Sequence, residues 1–200
     1  MIQGPGARPT DVERDESLIA NRGGFSFLFV HGWTWIAAAA LTFVLPIKVA
    51  ALVYLFQGFV AFPLSLLLEH RLGYKTLSMK ENSLVSLFVL IAVAQGLALP
   101  ASIVVYNLNP LYLPVVFAAT NGGHFLPYSW LHRTKVYVFL AIVAAFGPFA
   151  ILIAGGAEAS FHASGFVVGV VMVISAWYVR ASAERRIAVP DSSSVGPVPV

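Results

Sequence analysis

Six stretches of roughly 20 residues, none containing Asp, Glu, Lys or Arg, leave this chain few ways to fold. They run over 25–45, 49–68, 83–106, 111–130, 136–154 and 161–179. About 20 apolar residues in a helix rise about 30 Å, the thickness of a bilayer's hydrocarbon core. Within that core every backbone N–H and C=O must be satisfied internally, so the expected form is the helix. Composition agrees: 58% of the residues are hydrophobic and 10% charged, against about 25% charged in ordinary soluble domains. Such a chain has too little polar surface to cover itself in water, which excludes most soluble enzymes and intrinsic disorder. The fold class expected is an all-α, polytopic six-helix membrane bundle.

The polar flanks set the expected orientation. Placing the N-terminus in the cytoplasm puts every Lys and Arg except Lys48 on the inner side, of 12 in the chain. The expected location is therefore a bacterial cytoplasmic (inner) membrane, with both termini inside. Segment 1–24 reads as a polar cytoplasmic lead into a retained first span, 25–187 as the six-span domain, and 188–200, rich in proline and serine, as a disordered tail. A formal charge of +3 in short segments points to anionic lipid head groups as the counter-charge and not to nucleic acid.

Polar residues inside the spans are expensive in lipid, so their helical faces carry the functional information. Phe117, Asn121, His124 and Tyr128 fall on one stripe of the fourth span, with Gly122, Gly123 and Pro127 marking an expected helix irregularity beside it. The second span places Tyr54, Gln57, Ala61, Ser65 and Glu69 on one face; the first places His31 with Thr34 and Trp35. With Glu81 and Asn82 at the entry to the third span, these suggest a cytoplasm-facing polar cavity. The candidate ligand-binding residues are His31, Gln57, Glu69, Glu81, Asn82, Asn121, His124 and Tyr128.

A small polar solute or a lipid head group is the expected ligand, bound or transported. The alternatives are a membrane-embedded lipid-modifying enzyme, with His124 as base beside Glu69 or Glu81, and a non-catalytic scaffold. Gly165 and Gly169 form a small-xxx-small pair suited to close helix packing, or to a homo-oligomer contact.

Other chemistries lack the residues they need. All aspartates, Asp11, Asp15 and Asp191, lie outside the spans, and the chain has no cysteine. No two histidines stand at i, i+3 or i+4, so no metal or cofactor is expected. Trp33, Trp130, Trp177 and Tyr178 read as an aromatic belt at the inner interface.

Two strings go beyond composition: Lys80-Glu81-Asn82-Ser83-Leu84, and Gly122-Gly123-His124-Phe125-Leu126-Pro127-Tyr128 continuing through Trp130, Arg133 and Tyr137. They resemble motifs of a family of small bacterial multi-pass membrane proteins described only as a domain of unknown function. Ser83 stands where that family tends to proline. The resemblance extends from the first span to the fifth and implies no activity; it selects Glu81, Asn82, Gly123, His124, Pro127 and Tyr128.

Overall fold

A computed structural model describes residues 10–188, and among these the only regular secondary structure is helical. The order is α1 (Thr10–Ala20), a 3-10 turn (Arg22–Gly24), α2 (Phe25–Leu41), α3 (Ile47–Arg71), α4 (Val85–Leu97), α5 (Leu99–Leu108), a second 3-10 turn (Pro110–Tyr112), α6 (Leu113–Leu131) and α7 (Val136–Ala188). Four stretches are long and apolar enough to cross a membrane: Arg22–Leu41, Ile47–Arg71, Val85–Leu108 and Val136–Ala188. Most of the tail expected to be disordered, and Arg8, lie outside the described residues.

The breaks between helices have local causes. At the α1–α2 junction the Asn21 side chain accepts the Gly24 N–H at 3.0 Å, while Gly23 and Gly24 adopt φ of +66° and +79°. Left-handed backbone favours glycine, and at Gly24 a Cβ would also sit 2.7 Å from the Tyr137 hydroxyl. Pro100, in the first turn of α5, cannot donate a backbone hydrogen bond, and the third apolar stretch divides there into α4 and α5. Asn109 then turns the chain by accepting the Leu111 N–H at 3.1 Å.

The long α7 is two arms. Gly156, with φ +81° and ψ 179°, interrupts the helix, and the Ser160 hydroxyl donates to the Pro148 carbonyl at 3.0 Å. In an unbroken helix those residues would stand roughly 18 Å apart. The chain therefore reverses at Gly156, and arms 136–155 and 157–188 pack side by side, matching the fifth and sixth apolar stretches.

The helices alternate in direction, so one end of the bundle gathers nearly all the cations. At this charged end Tyr74 meets Phe25, Arg180 lies over Phe25, and Arg186 donates to the Arg133 carbonyl at 3.5 Å. At the opposite end the Thr42 hydroxyl meets His162 Nδ1 at 2.6 Å.

The core lies between α2, α3, α6 and both arms of α7, built on Trp35, Tyr54, Leu113, Leu140, Phe161 and Val168, all essentially inaccessible. Its closest contact is α2 on the second arm: a Cβ on Gly169 would lie 2.5 Å from the Gly32 carbonyl oxygen, and one on Gly165 would lie 2.6 Å from that of Trp35. The Gly165/Gly169 face is thus occupied within the chain. Gly165 and Gly169 serve close helix packing inside one chain.

Of the segment expected as a polar lead, the described residues 10–24 form α1 and the first 3-10 turn. Helix α1 lies on the charged end, held there by Glu13 and by Asp11 and Asp15, which pair with Arg133. Arg14 donates to the Trp130 carbonyl and lies 4.5 Å from the Trp130 ring centre.

Candidate functional site

Helix α3 supplies the longest polar face. Tyr54, Gln57, Ala61, Ser65 and Glu69 are all buried, while the intervening Phe56, Phe59, Phe62 and Leu66 are exposed on the apolar outside. The spacing of three and four residues keeps the five on one side over more than four turns. Ser65 satisfies itself by donating to the Ala61 carbonyl at 2.7 Å, and the Tyr54 hydroxyl donates to the Phe161 carbonyl at 3.2 Å. Gln57 Oε1 and Glu69 Oε1 are buried without a hydrogen-bond partner. A buried polar atom left unpaired costs about 1–3 kcal/mol, more for a charged group.

Helices α2 and α6 add the histidines. His31 Nδ1 lies 2.9 Å from the Phe27 carbonyl, and His124 Nδ1 lies 3.0 Å from the Asn121 carbonyl. Each ring thus uses one nitrogen on its own helix and keeps Nε2 for another partner. Tyr128 stands edge-on to His124, with ring centres 5.5 Å apart.

The stripe on α6 continues further than the sequence reading followed it. His132, one more step of four beyond Tyr128, is 1% exposed, stacks on Tyr128, lies tilted against Tyr137, and has neither ring nitrogen partnered. Burial holds its imidazole down at about 3, so it is neutral. Extending the i, i+4 step past the end of the apolar stretch is the signal that would have found it.

Three expected site residues are committed elsewhere. Asn121 accepts from Gln95 of α4 and donates to the Phe117 carbonyl of its own helix at 2.7 Å, so the oxygen of its amide joins two helices while the nitrogen is held on α6. Asn82 is 1% exposed and donates to the Glu13 carbonyl at 2.7 Å, while its own oxygen accepts the Leu84 N–H at 3.0 Å. The Glu13 carboxylate accepts from Ser83 N–H at 3.1 Å and Ser83 Oγ at 2.8 Å, completing a clasp between α1 and the entry to α4. Glu81 is exposed, accepts from Ser78 N–H at 2.9 Å and pairs with Lys75 at 3.2 Å. Those partners hold its carboxyl down at about 2. Asn82 and Glu81 therefore serve the charged end and not the interior stripe.

The expected irregularity in α6 is mild. Its backbone stays helical through Pro127, and Gly123 and Pro127 both lie on the exposed side, while Gly122 is buried against α7, where a Cβ would meet the Ala141 carbonyl at 2.8 Å. The carbonyl that Pro127 leaves without a donor thus belongs to an exposed residue of α6, away from the buried Asn121 and Phe125.

A hollow of about 640 Å³ opens at the charged end between α1 and the segment after α3, lined by Glu16, Arg22, Tyr74, Lys75, Lys80 and Glu81 among others. Among the described residues no group of three His, Asp or Glu side chains could hold a metal ion.

A family model described as a family of unknown function, DUF7010, matches residues 11–182. The chain belongs to that family. Its match begins in α1 and ends in the second arm of α7, so α1 is part of the family's shared extent along with the spans. This bears out the resemblance to an uncharacterised domain family. No curated protein and no solved structure matches the chain.

Proposed function

We propose that this DUF7010 protein is a multi-pass membrane protein that binds, and moves across part of the bilayer, a small polar solute. Its recognition groups are His31, Gln57, Glu69, His124 and Tyr128, and its charged end faces the cytoplasm by the bias of Lys and Arg. The observation that carries this reading is the pair of buried, unpartnered oxygens on Gln57 and Glu69. An intramembrane carboxylate persists when it has work to do, and vacant acceptors on a buried helix face suit a guest that brings N–H or O–H donors. A lipid-modifying enzyme that pairs His124 with Glu81 is less well supported, because Glu81 is bound to Lys75 and Ser78 at the charged end.

The absence of cysteine makes the test direct. Gln57→Cys and Ser65→Cys should react in membrane vesicles with a small water-soluble methanethiosulfonate, whereas Phe62→Cys on the outer apolar face should not. The small-molecule fraction of a cell extract should slow the reaction at position 57. Equal silence at 57, 65 and 62 would mean a dry interior and would end the proposal.

A further inference from the structure

An apolar groove of about 560 Å³ runs between α2 and α3, walled by Phe29, Trp33 and Ala37 on one side and Leu64 and Leu67 on the other, with Arg71 at its mouth. Nearly all of its lining is hydrocarbon. The hollow at the charged end begins at Gly73, two residues beyond Arg71, so the two spaces approach within about 7 Å along the chain.

A chain of aromatic contacts, with the Phe25 ring buried, packs behind them. Phe29, which lines the groove, stacks on Phe25 at 5.4 Å between ring centres; Phe25 meets Tyr74 edge-on at 6.5 Å; and the Arg22 guanidinium lies 5.4 Å from the Tyr74 ring centre. Tyr74 and Arg22 both line the charged hollow. The two spaces share no lining residue but succeed one another along the chain at Arg71 and Gly73, as an amphipathic trough in two parts, apolar along the helices and polar where they end.

Its charge is biased. The hollow carries Arg22, Lys75 and Lys80 against Glu16 and Glu81, and Arg71 adds a further cation where the two spaces meet. Lys75 is paired with Glu81, which leaves Arg71, Arg22 and Lys80 against Glu16, a net excess of positive charge.

We propose that this trough is a binding site for one anionic phospholipid, its acyl chain along the α2–α3 groove and its phosphate between Arg71 and Lys80. The chemistry matches at both ends. An extended hydrocarbon chain replaces lipid or water against Trp33, Ala37, Leu64 and Leu67, and a head group with net negative charge meets the excess cations. This site is separate from the interior stripe, because none of His31, Gln57, Glu69, His124 or Tyr128 lines either space.

The full-length protein in mild detergent should be examined by native mass spectrometry with phosphatidylglycerol and with phosphatidylcholine of identical chains. One phosphatidylglycerol per chain should be retained in preference, by about fivefold for each contributing cation. Arg71→Gln with Lys80→Gln, both exposed positions, should bring phosphatidylglycerol down to the level of phosphatidylcholine. Ala37→Trp, which blocks the groove and leaves the cations in place, should lower retention of both lipids. Equal retention of the two lipids by the unaltered protein, or unchanged phosphatidylglycerol retention by the double variant, would overturn the site. Competition by free glycerol phosphate as strong as by the whole lipid would overturn the role of the groove.

Discussion

The contact between α2 and the second arm of α7 and the contact of α4–α5 with the rest of the bundle are made in opposite ways. Gly32, Gly165 and Gly169 bring two backbones together so closely that a single methyl group would collide with a carbonyl oxygen. Helices α4 and α5 touch the bundle through a few side chains: of the most apolar part of 85–108 only 11% is buried, against 39% for 22–41. Lipid is as apolar as leucine, so helices in a membrane associate through close van der Waals packing and interhelical hydrogen bonds, not through hydrophobic exclusion. The first contact relies on packing and the second on the Gln95–Asn121 bond and the Glu13–Asn82–Ser83 clasp. One bundle thus combines a rigid half and a half tied on by polar points.

The sharpest way to break that comparison is to enlarge one glycine in each half. Gly169→Leu places its Cβ 2.5 Å from the Gly32 carbonyl oxygen and 2.6 Å from the Ile36 side chain, so two backbones must separate. The expected loss is about 3 kcal/mol, at the upper end of overpacking effects, with most of the protein failing to assemble in detergent. Gly96→Leu in α4 meets nothing within 4 Å and should leave the melting temperature nearly unchanged. Equal effects of the two substitutions, measured by thermal unfolding in the same detergent, would mean that the halves do not differ.

A second test lies on the seam, at His132, whose ring touches Phe88 of α4, Tyr128 of α6 and Tyr137 of α7. Its folded value near 3 lies below the 6.5 of an exposed histidine. As pH falls below 6.5 the unfolded chain takes up a proton that the folded chain refuses, so stability drops until the pH reaches about 3. Between pH 6.5 and 5 that amounts to about 2 kcal/mol. His132→Phe keeps an aromatic ring and removes the proton, so its melting temperature should fall less over this range than that of the unaltered protein. Parallel curves would show that His132 is not sealed from solvent.

These contrasts also explain what the sequence could disclose. The buried stripe Tyr54, Gln57, Ala61, Ser65 and Glu69 was legible because a single helix carries its whole period, and the boundaries of most spans were legible because they follow from charge alone. The hairpin at Gly156 was visible as the polar gap between the fifth and sixth apolar stretches. The clasp was not: Glu13 meets Ser83 across 70 positions, and neither residue announces a partner. For the same reason the bond from Asn82 to the Glu13 carbonyl and the bond from Gln95 to Asn121 could not be read from the sequence. Helical period finds faces; it cannot say what covers them.

The smallest expected effect is also the most specific to the loosely held half. Gln95→Leu removes the donor that ties α4 to Asn121, leaving Asn121 Oδ1 without its partner while its amide nitrogen keeps the Phe117 carbonyl. Interhelical hydrogen bonds in membrane proteins contribute about 0.6 to 2 kcal/mol, so the loss in overall stability should be about 1 kcal/mol, well below that of Gly169→Leu. The change should nevertheless be concentrated. Hydrogen exchange over 85–97 should quicken, because few other contacts restrain that helix, while exchange in α2 and in the second arm of α7 stays as slow as before. An equal quickening in α2 would mean that α4 unfolds only with the whole bundle. The polar tie would then be part of a single cooperative unit, and the division into a packed half and a tethered half would fail.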